Sequence, residues 1–220
     1  MKKNGFTLAE IMITLGIIGV VAALTAPTLV NNAANANIIP TVRKAVSTLE
    51  QVNLAIINNN EYDSLADIPD GGHDGNLDEY VEALSEQISG AVVDNDNPLL
   101  LHMKGNIDIT VAQVNAGRTY NANGGLRGHF ADLTIDIDGD GGDNLQGSDR
   151  YVFAIDNSGS VLPYGGRTLN SANDAISHWN DDGGGIYKCN AVGDAADTDN
   201  PNKGLGCAGS VMENNDINFR

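Results

Sequence analysis

The chain has 220 residues, 41% of them hydrophobic, enough for one globular core with appendages. Its 12 lysines and arginines against 29 aspartates and glutamates give a formal net charge of -17, which repels polyanions and excludes nucleic acid as a partner. On composition alone, that acidity fits either a solvated surface or sites for hard cations.

Met1-Lys2-Lys3-Asn4-Gly5 is followed by Phe6-Thr7-Leu8-Ala9-Glu10 and then by an uncharged run from Ile11 to Val30. A helix rising ~1.5 Å per residue needs roughly 20 residues to cross a ~30 Å hydrocarbon core, so the run predicts one membrane span. Lys2 and Lys3 then stay on the cytoplasmic side. Small residues at Ala22-Ala23-Leu24-Thr25-Ala26 would also suit cleavage of a secretory signal peptide. Glu10 opposes that alternative, because an unpaired carboxylate entering a bilayer costs about 3 kcal/mol and so implies a partner.

Gly5 through Glu10 resemble the precursors of the type IV pilin family, in which a short basic leader ends in Gly and is followed by Phe-Thr-Leu, a variable residue and Glu. The resemblance implies that a membrane prepilin peptidase cuts between Gly5 and Phe6 and methylates the new Phe6 amine. Residues 1–5 are then a leader and residues 6–30 a transmembrane and filament-core helix. A neighbouring subunit's Glu10 can neutralise the Phe6 amine inside an apolar filament, where a lone charge is costly. Gly19 and Pro27 weaken the helix between them; the resemblance implies melting there after assembly, whereas simple close packing of membrane helices is the plainer explanation.

Beyond an Asn- and Ala-rich passage and Pro40, apolar residues at Val42, Ala45, Leu49, Val52 and Ile56 recur with helical spacing, so residues 31–60 read as an amphipathic continuation of the helix. Asp78 reads as the N-cap of a short helix carrying Tyr80, Val81, Leu84 and Ile88. Alternation at Ile107-Ile109-Val111, Leu133-Ile135-Ile137 and Tyr151-Phe153-Ile155, with Val161 leading a further short strand, predicts an antiparallel sheet under the helix. The expected fold is α+β, a pilin fold with a long N-terminal helix on a small sheet, its head covering residues 61–170. Residues 171–220, rich in Gly, Asn and Asp, read as a surface-exposed variable region. Cys189 and Cys207 are the only cysteines. In an exported chain they suit a disulfide closing a modest loop, worth about 3 kcal/mol, with a free thiol pair as the alternative.

The densest local chemistry is Asp136-Ile137-Asp138-Gly139-Asp140-Gly141-Gly142-Asp143-Asn144. Asp136, Asp138, Asp140 and Gly141 match the opening of a calcium loop, with Asp143 or Asp149 as further oxygen donors for Ca²⁺. The bidentate glutamate that closes an EF-hand at its twelfth position is missing, since Gly147 stands there. A polar β-turn explains the same residues without a metal. The stretch Asp136 to Gly165 also resembles a recurrent segment of bacterial prepilin-type proteins. Asp70, Asp74 and Asp78 form a second, irregular acidic patch that reads as a solvated loop.

No nucleophile elbow, zinc-helix or phosphate-loop signature is present. His73, His102, His129 and His178 are scattered without ligand spacing, so no enzyme is expected. The expected function is structural: a subunit of a type IV pilus-like or type II secretion pseudopilus filament. Its partners are copies of itself, other pilins, the prepilin peptidase and an inner-membrane assembly platform. It is single-pass in a bacterial inner membrane before assembly and in an extracellular or periplasmic filament after it. The alternative is a membrane-tethered calcium-binding or adhesive domain that never polymerises.

Overall fold

The computed structural model describes residues 8–69, 77–113, 119–122, 125–139, 141, 144–164 and 206–215; for 25–36, 113, 119–122, 125–127 and 213–214 it describes the backbone alone. The chain divides into two compact units, Met1–Ile38 and Ile39–Arg220.

In the first unit the described secondary structure is helix α1, whose residue range Leu8–Asn59 continues past Ile38. Pro27 and Pro40 both lie inside it, and each removes an amide donor from the helix ladder. Among the described residues no helix is long and apolar enough to cross a membrane. The described side chains of this stretch end at Leu24, so the span expected over Ile11 to Val30 falls only partly within them.

In the second unit α1 acquires a buried stripe of Val42, Ala45, Val46, Leu49, Val52 and Ile56, with the polar Asn53 among them. A short 3-10 turn, Leu65–Asp67, leads to α2 at Asp78–Gln87. The helix begins one residue earlier than the sequence suggested: Leu77 is its N-cap, and Asp78 stands in the first turn, where a carboxylate suits the positive end of the helix dipole equally well. Tyr80, Val81 and Leu84 form the buried face of α2, and Tyr80 meets Phe130 edge-on with ring centroids 5.0 Å apart.

The described strands are β1 (Val92–Val93), β2 (Leu100–Met103), β3 (Ile107–Gln113), β4 (Thr119–Ala122), β5 (Gly125–Asp136), β6 (Arg150–Asp156) and β7 (Val161–Pro163). They form an antiparallel sheet in the order β1-β2-β3-β5-β6-β7, while β4 pairs with the N-terminal end of β5. Ile109, Val111, Leu133, Ile135, Tyr151, Phe153 and Ile155 are all buried, as alternating apolar positions require when one face of a sheet is covered. In β6 the intervening Val152, Ala154 and Asp156 are buried too, and the C-terminal turn described next packs on this strand.

Within residues 206–215, the part of the C-terminal region that is described, that turn departs from the expected surface exposure. Cys207–Gly209 form α3, continued by a wider π-type turn over Ser210–Asn214. Cys207, Ala208, Gly209 and Val211 are buried. Gly209 N donates to Tyr164 O at 2.8 Å, and Arg43 Nη2 on α1 donates to Met212 O at 2.7 Å. Ala208 and Val211, with the hydrogen bonds to Tyr164 O and Met212 O, seat the segment.

Candidate functional site

Three places carry the residues singled out by the sequence. The first is the start of α1. Gly5 and Phe6 lie outside the described residues. Glu10 stands in the first turn of the helix, and Thr14 Oγ1 donates to the Glu10 carbonyl at 2.9 Å and to the Ile11 carbonyl at 3.0 Å. Thr14 therefore satisfies its hydroxyl within its own helix, which suits an apolar surrounding. Leu8, Met12, Leu15, Ile18 and Leu24 are each more than 60% exposed, and Ile11, Ile13, Ile17, Val20 and Val21 are exposed as well. These positions go round the whole helix, and a helix apolar on every side belongs inside an assembly or a membrane. Gly16 and Gly19 have no atom of another element within 4 Å of where a Cβ would stand.

The second place is the β5–β6 turn. Asp136 and Arg150 face each other in the strand register, and Arg150 Nε donates to Asp136 Oδ2 at 2.8 Å. Asp136 Oδ1 accepts the Asp138 amide at 3.2 Å. Arg150 Nη2 also donates to Asn144 Oδ1 at 2.8 Å, and the Asn144 amide donates to Asp149 Oδ2 at 2.9 Å. Gly139 and Asn144 adopt positive φ, the bend that the glycines and asparagine of this turn allow. Asn106 on the β2–β3 turn donates through Nδ2 to the Asp138 carbonyl.

This arrangement changes the ligand set expected for a hard cation. Asp136 already has a guanidinium as its cation, so it is a poor donor to a second one. Among the described residues Asp149 Oδ1 and Gln146 Oε1 are buried without a hydrogen-bond partner, and orphaned oxygens of this kind are what a bound cation or water satisfies. Asp140 and Asp143 lie outside the described residues. Among the described residues no group of three or more His, Cys, Asp or Glu side chains converges as a metal site. Gln146 and Arg150 were not among the residues the sequence singled out; pairing the two predicted strands would have set Arg150 opposite Asp136.

The third place is Cys207, which is fully buried and is not a free thiol. Cys189 lies outside the described residues, as do Asp70, Asp74, His73 and His178. The two remaining histidines each contact carboxylates. His102 Nδ1 lies 2.8 Å from Asp108 Oδ1 and its Nε2 lies 3.2 Å from Asp94 Oδ2. Asp108 first and Asp94 second raise the His102 pKa, and the His102 contact, helped by the Asp96 and Asn97 amides, lowers that of Asp94. His129 Nε2 and the Tyr164 hydroxyl both lie against Asp132 Oδ1, at 2.9 and 2.6 Å, which fastens β5 to the residue after β7.

No curated protein and no solved structure matches the chain. Residues 1–26 match the family model described as the prokaryotic N-terminal methylation motif, and the chain thus carries the prepilin-type signature of type IV pilins and pseudopilins.

Proposed function

We propose that this chain is the structural subunit of a type IV pilus-like or type II secretion pseudopilus filament. The observation that carries the reading is the Leu8–Leu24 stretch of α1, apolar on every side, exposed, and interrupted by the single carboxylate of Glu10. Such a surface in one chain is suited to burial among copies of itself, and the methylation motif over residues 1–26 supplies the route. A prepilin peptidase cuts after Gly5 and methylates Phe6. The inner membrane holds the chain through this helix, and an assembly platform there, with other pilins, draws subunits into the filament. Glu10 then pairs with the Phe6 amine of a neighbour and sets axial register, because a buried charge is tolerated only when paired. Loosening of α1 between Gly19 and Pro27 accompanies assembly in this account. The motif belongs to a structural family, and no chemistry is asked of the head. The pairing of Cys189 with Cys207 is part of the proposal, as is a Ca²⁺ ion held at the β5–β6 turn by Asp149, Gln146 and Asp138, with Asp140 or Asp143 completing the set.

Glu10→Ala tests the reading. Sheared extracellular or periplasmic filaments are expected from the wild type and lost in the variant, with membrane insertion retained. Filaments that form unchanged without Glu10 would contradict it.

A further inference from the structure

Strand β1 is two residues long and its Val92 is 61% exposed, so apolar burial does little to hold this end of the sheet. The turn that follows is organised around one carboxylate: Asp94 Oδ1 accepts the Asp96 and Asn97 amides, both at 2.8 Å. The other Asp94 oxygen lies 3.2 Å from His102 Nε2, while His102 Nδ1 lies 2.8 Å from Asp108 Oδ1. One ring thus ties the β1–β2 turn to β3. Ionised carboxylates only accept hydrogen bonds, so both contacts need an N–H, and an imidazole carries two only when it is protonated. A neutral ring must turn a lone pair toward one carboxylate. The Asp108 contact is the shorter, and Asp108 is the cross-strand partner of His102. The Asp94 contact is the longer and reaches a turn whose residues 95–98 are exposed. Beyond Asp108 across the sheet, Asp136 and Arg150 pair with each other, and the Lys104 side chain lies against Gly90.

We infer that His102 is a proton-operated latch on the β1–β2 turn: the imidazolium holds Asp108 and Asp94 together, and the neutral ring keeps Asp108 and releases Asp94 with its turn. The proton that leaves Nε2 passes to water, since the ring is 41% exposed. Asp108 first and Asp94 second raise the His102 pKa, so the latch is shut at and below the ordinary value of about 6.5 and opens as pH rises through the folded one. The His102 contact lowers the Asp94 pKa in return, so Asp94 keeps its charge down to below about pH 4. Opening changes the surface that residues 95–98 present. The inference does not depend on filament formation, so either can fail without the other.

The test is amide hydrogen exchange of the full chain in non-ionic detergent, each rate divided by the intrinsic rate at the same pH. Protection over residues 92–103 should fall about threefold as His102 loses its proton, the size expected of a partly exposed charge pair, while β5 and β6 stay protected. Asp94→Asn should reverse that dependence. Its carbonyl oxygen still accepts the two turn amides, and its amide nitrogen donates to the neutral Nε2 but confronts the Nε2–H of the imidazolium. Asp96→Asn, an equal charge loss in the same turn, should behave as the wild type. Nitrogen-15 shifts of the His102 ring should show the proton of the neutral form on Nδ1, a readout that needs no variant. Wild-type protection that does not change with pH would overturn the inference. So would an Asp94→Asn fall equal to that of the wild type, or a neutral ring protonated on Nε2.

Discussion

Asn53 is the polar residue on the buried face of α1, and it joins three elements. It is fully buried, its Nδ2 donates to the Gly159 carbonyl in the β6–β7 turn at 2.9 Å, and its Oδ1 accepts the Tyr80 hydroxyl of α2 at 2.8 Å. Burial raises the Tyr80 pKa far above the ordinary phenol range, opposed only in part by the Asn53 bond, so the hydroxyl remains a donor at any workable pH. Asn53→Ala strands a buried hydroxyl and a buried carbonyl, at about 1–3 kcal/mol each, for a total of about 2–6 kcal/mol. Tyr80→Phe strands only Asn53 Oδ1, at about 1–3 kcal/mol. In the double variant the hydroxyl and its acceptor are both gone, so its cost should fall at least about 2 kcal/mol below the sum of the singles. Urea unfolding of the detergent-solubilised chain, followed by circular dichroism, reads all three. In a chain of this size 1 kcal/mol corresponds to about 2–4 °C in Tm, so thermal unfolding gives an independent check. Additive costs, or an Asn53→Ala loss below about 1 kcal/mol, would refute the reasoning.

The His102 bridge should make the first edge of the sheet pH-sensitive. Its raised folded pKa means that its contribution is complete below the unfolded value of about 6.5 and is lost as pH rises through the folded one. The lowered pKa of Asp94 adds a contribution present above about pH 4 and lost on acidification. The difference between wild type and His102→Gln in thermal unfolding should therefore peak between about pH 4 and 6.5. It should shrink at ~1 M salt, because the pair is partly exposed; a pH-independent difference would contradict it. Arg150→Gln leaves the buried Asp136 without its cation and should cost about 1–3 kcal/mol, less than a fully buried pair because Arg150 is partly exposed. If Ca²⁺ binds at this turn, adding it in place of EDTA raises the Tm of the wild type, and an unchanged Tm removes the metal from the account.

What the sequence revealed followed from periodicity. The helical spacing from Val42 to Ile56 and the alternation in 107–111, 133–137 and 151–155 located the helix and the central strands, because a covered face must be apolar at a fixed period. Asn53 broke that pattern and went unnoticed; its role depends on Tyr80 and Gly159, which are distant in the chain. β1 and β2 escaped because two and four residues are too few to show a period, and their His102 is polar. Arg150 was legible only through pairing register. The buried turn at Cys207–Gly209 lies within a Gly- and Asn-rich stretch, where composition reports the average and hides the few residues that pack. The N-terminal signature was readable because it is local: Gly5, Phe6 and Glu10 stand together at the head of an apolar run.

The central claim is that the chain enters a filament as a processed prepilin, and the N-terminus of the mature protein tests it most directly. Mass spectrometry of membrane and sheared extracellular fractions should find N-methylated Phe6 as the first residue. A mature chain beginning after Ala26, or one retaining Met1, would contradict the account.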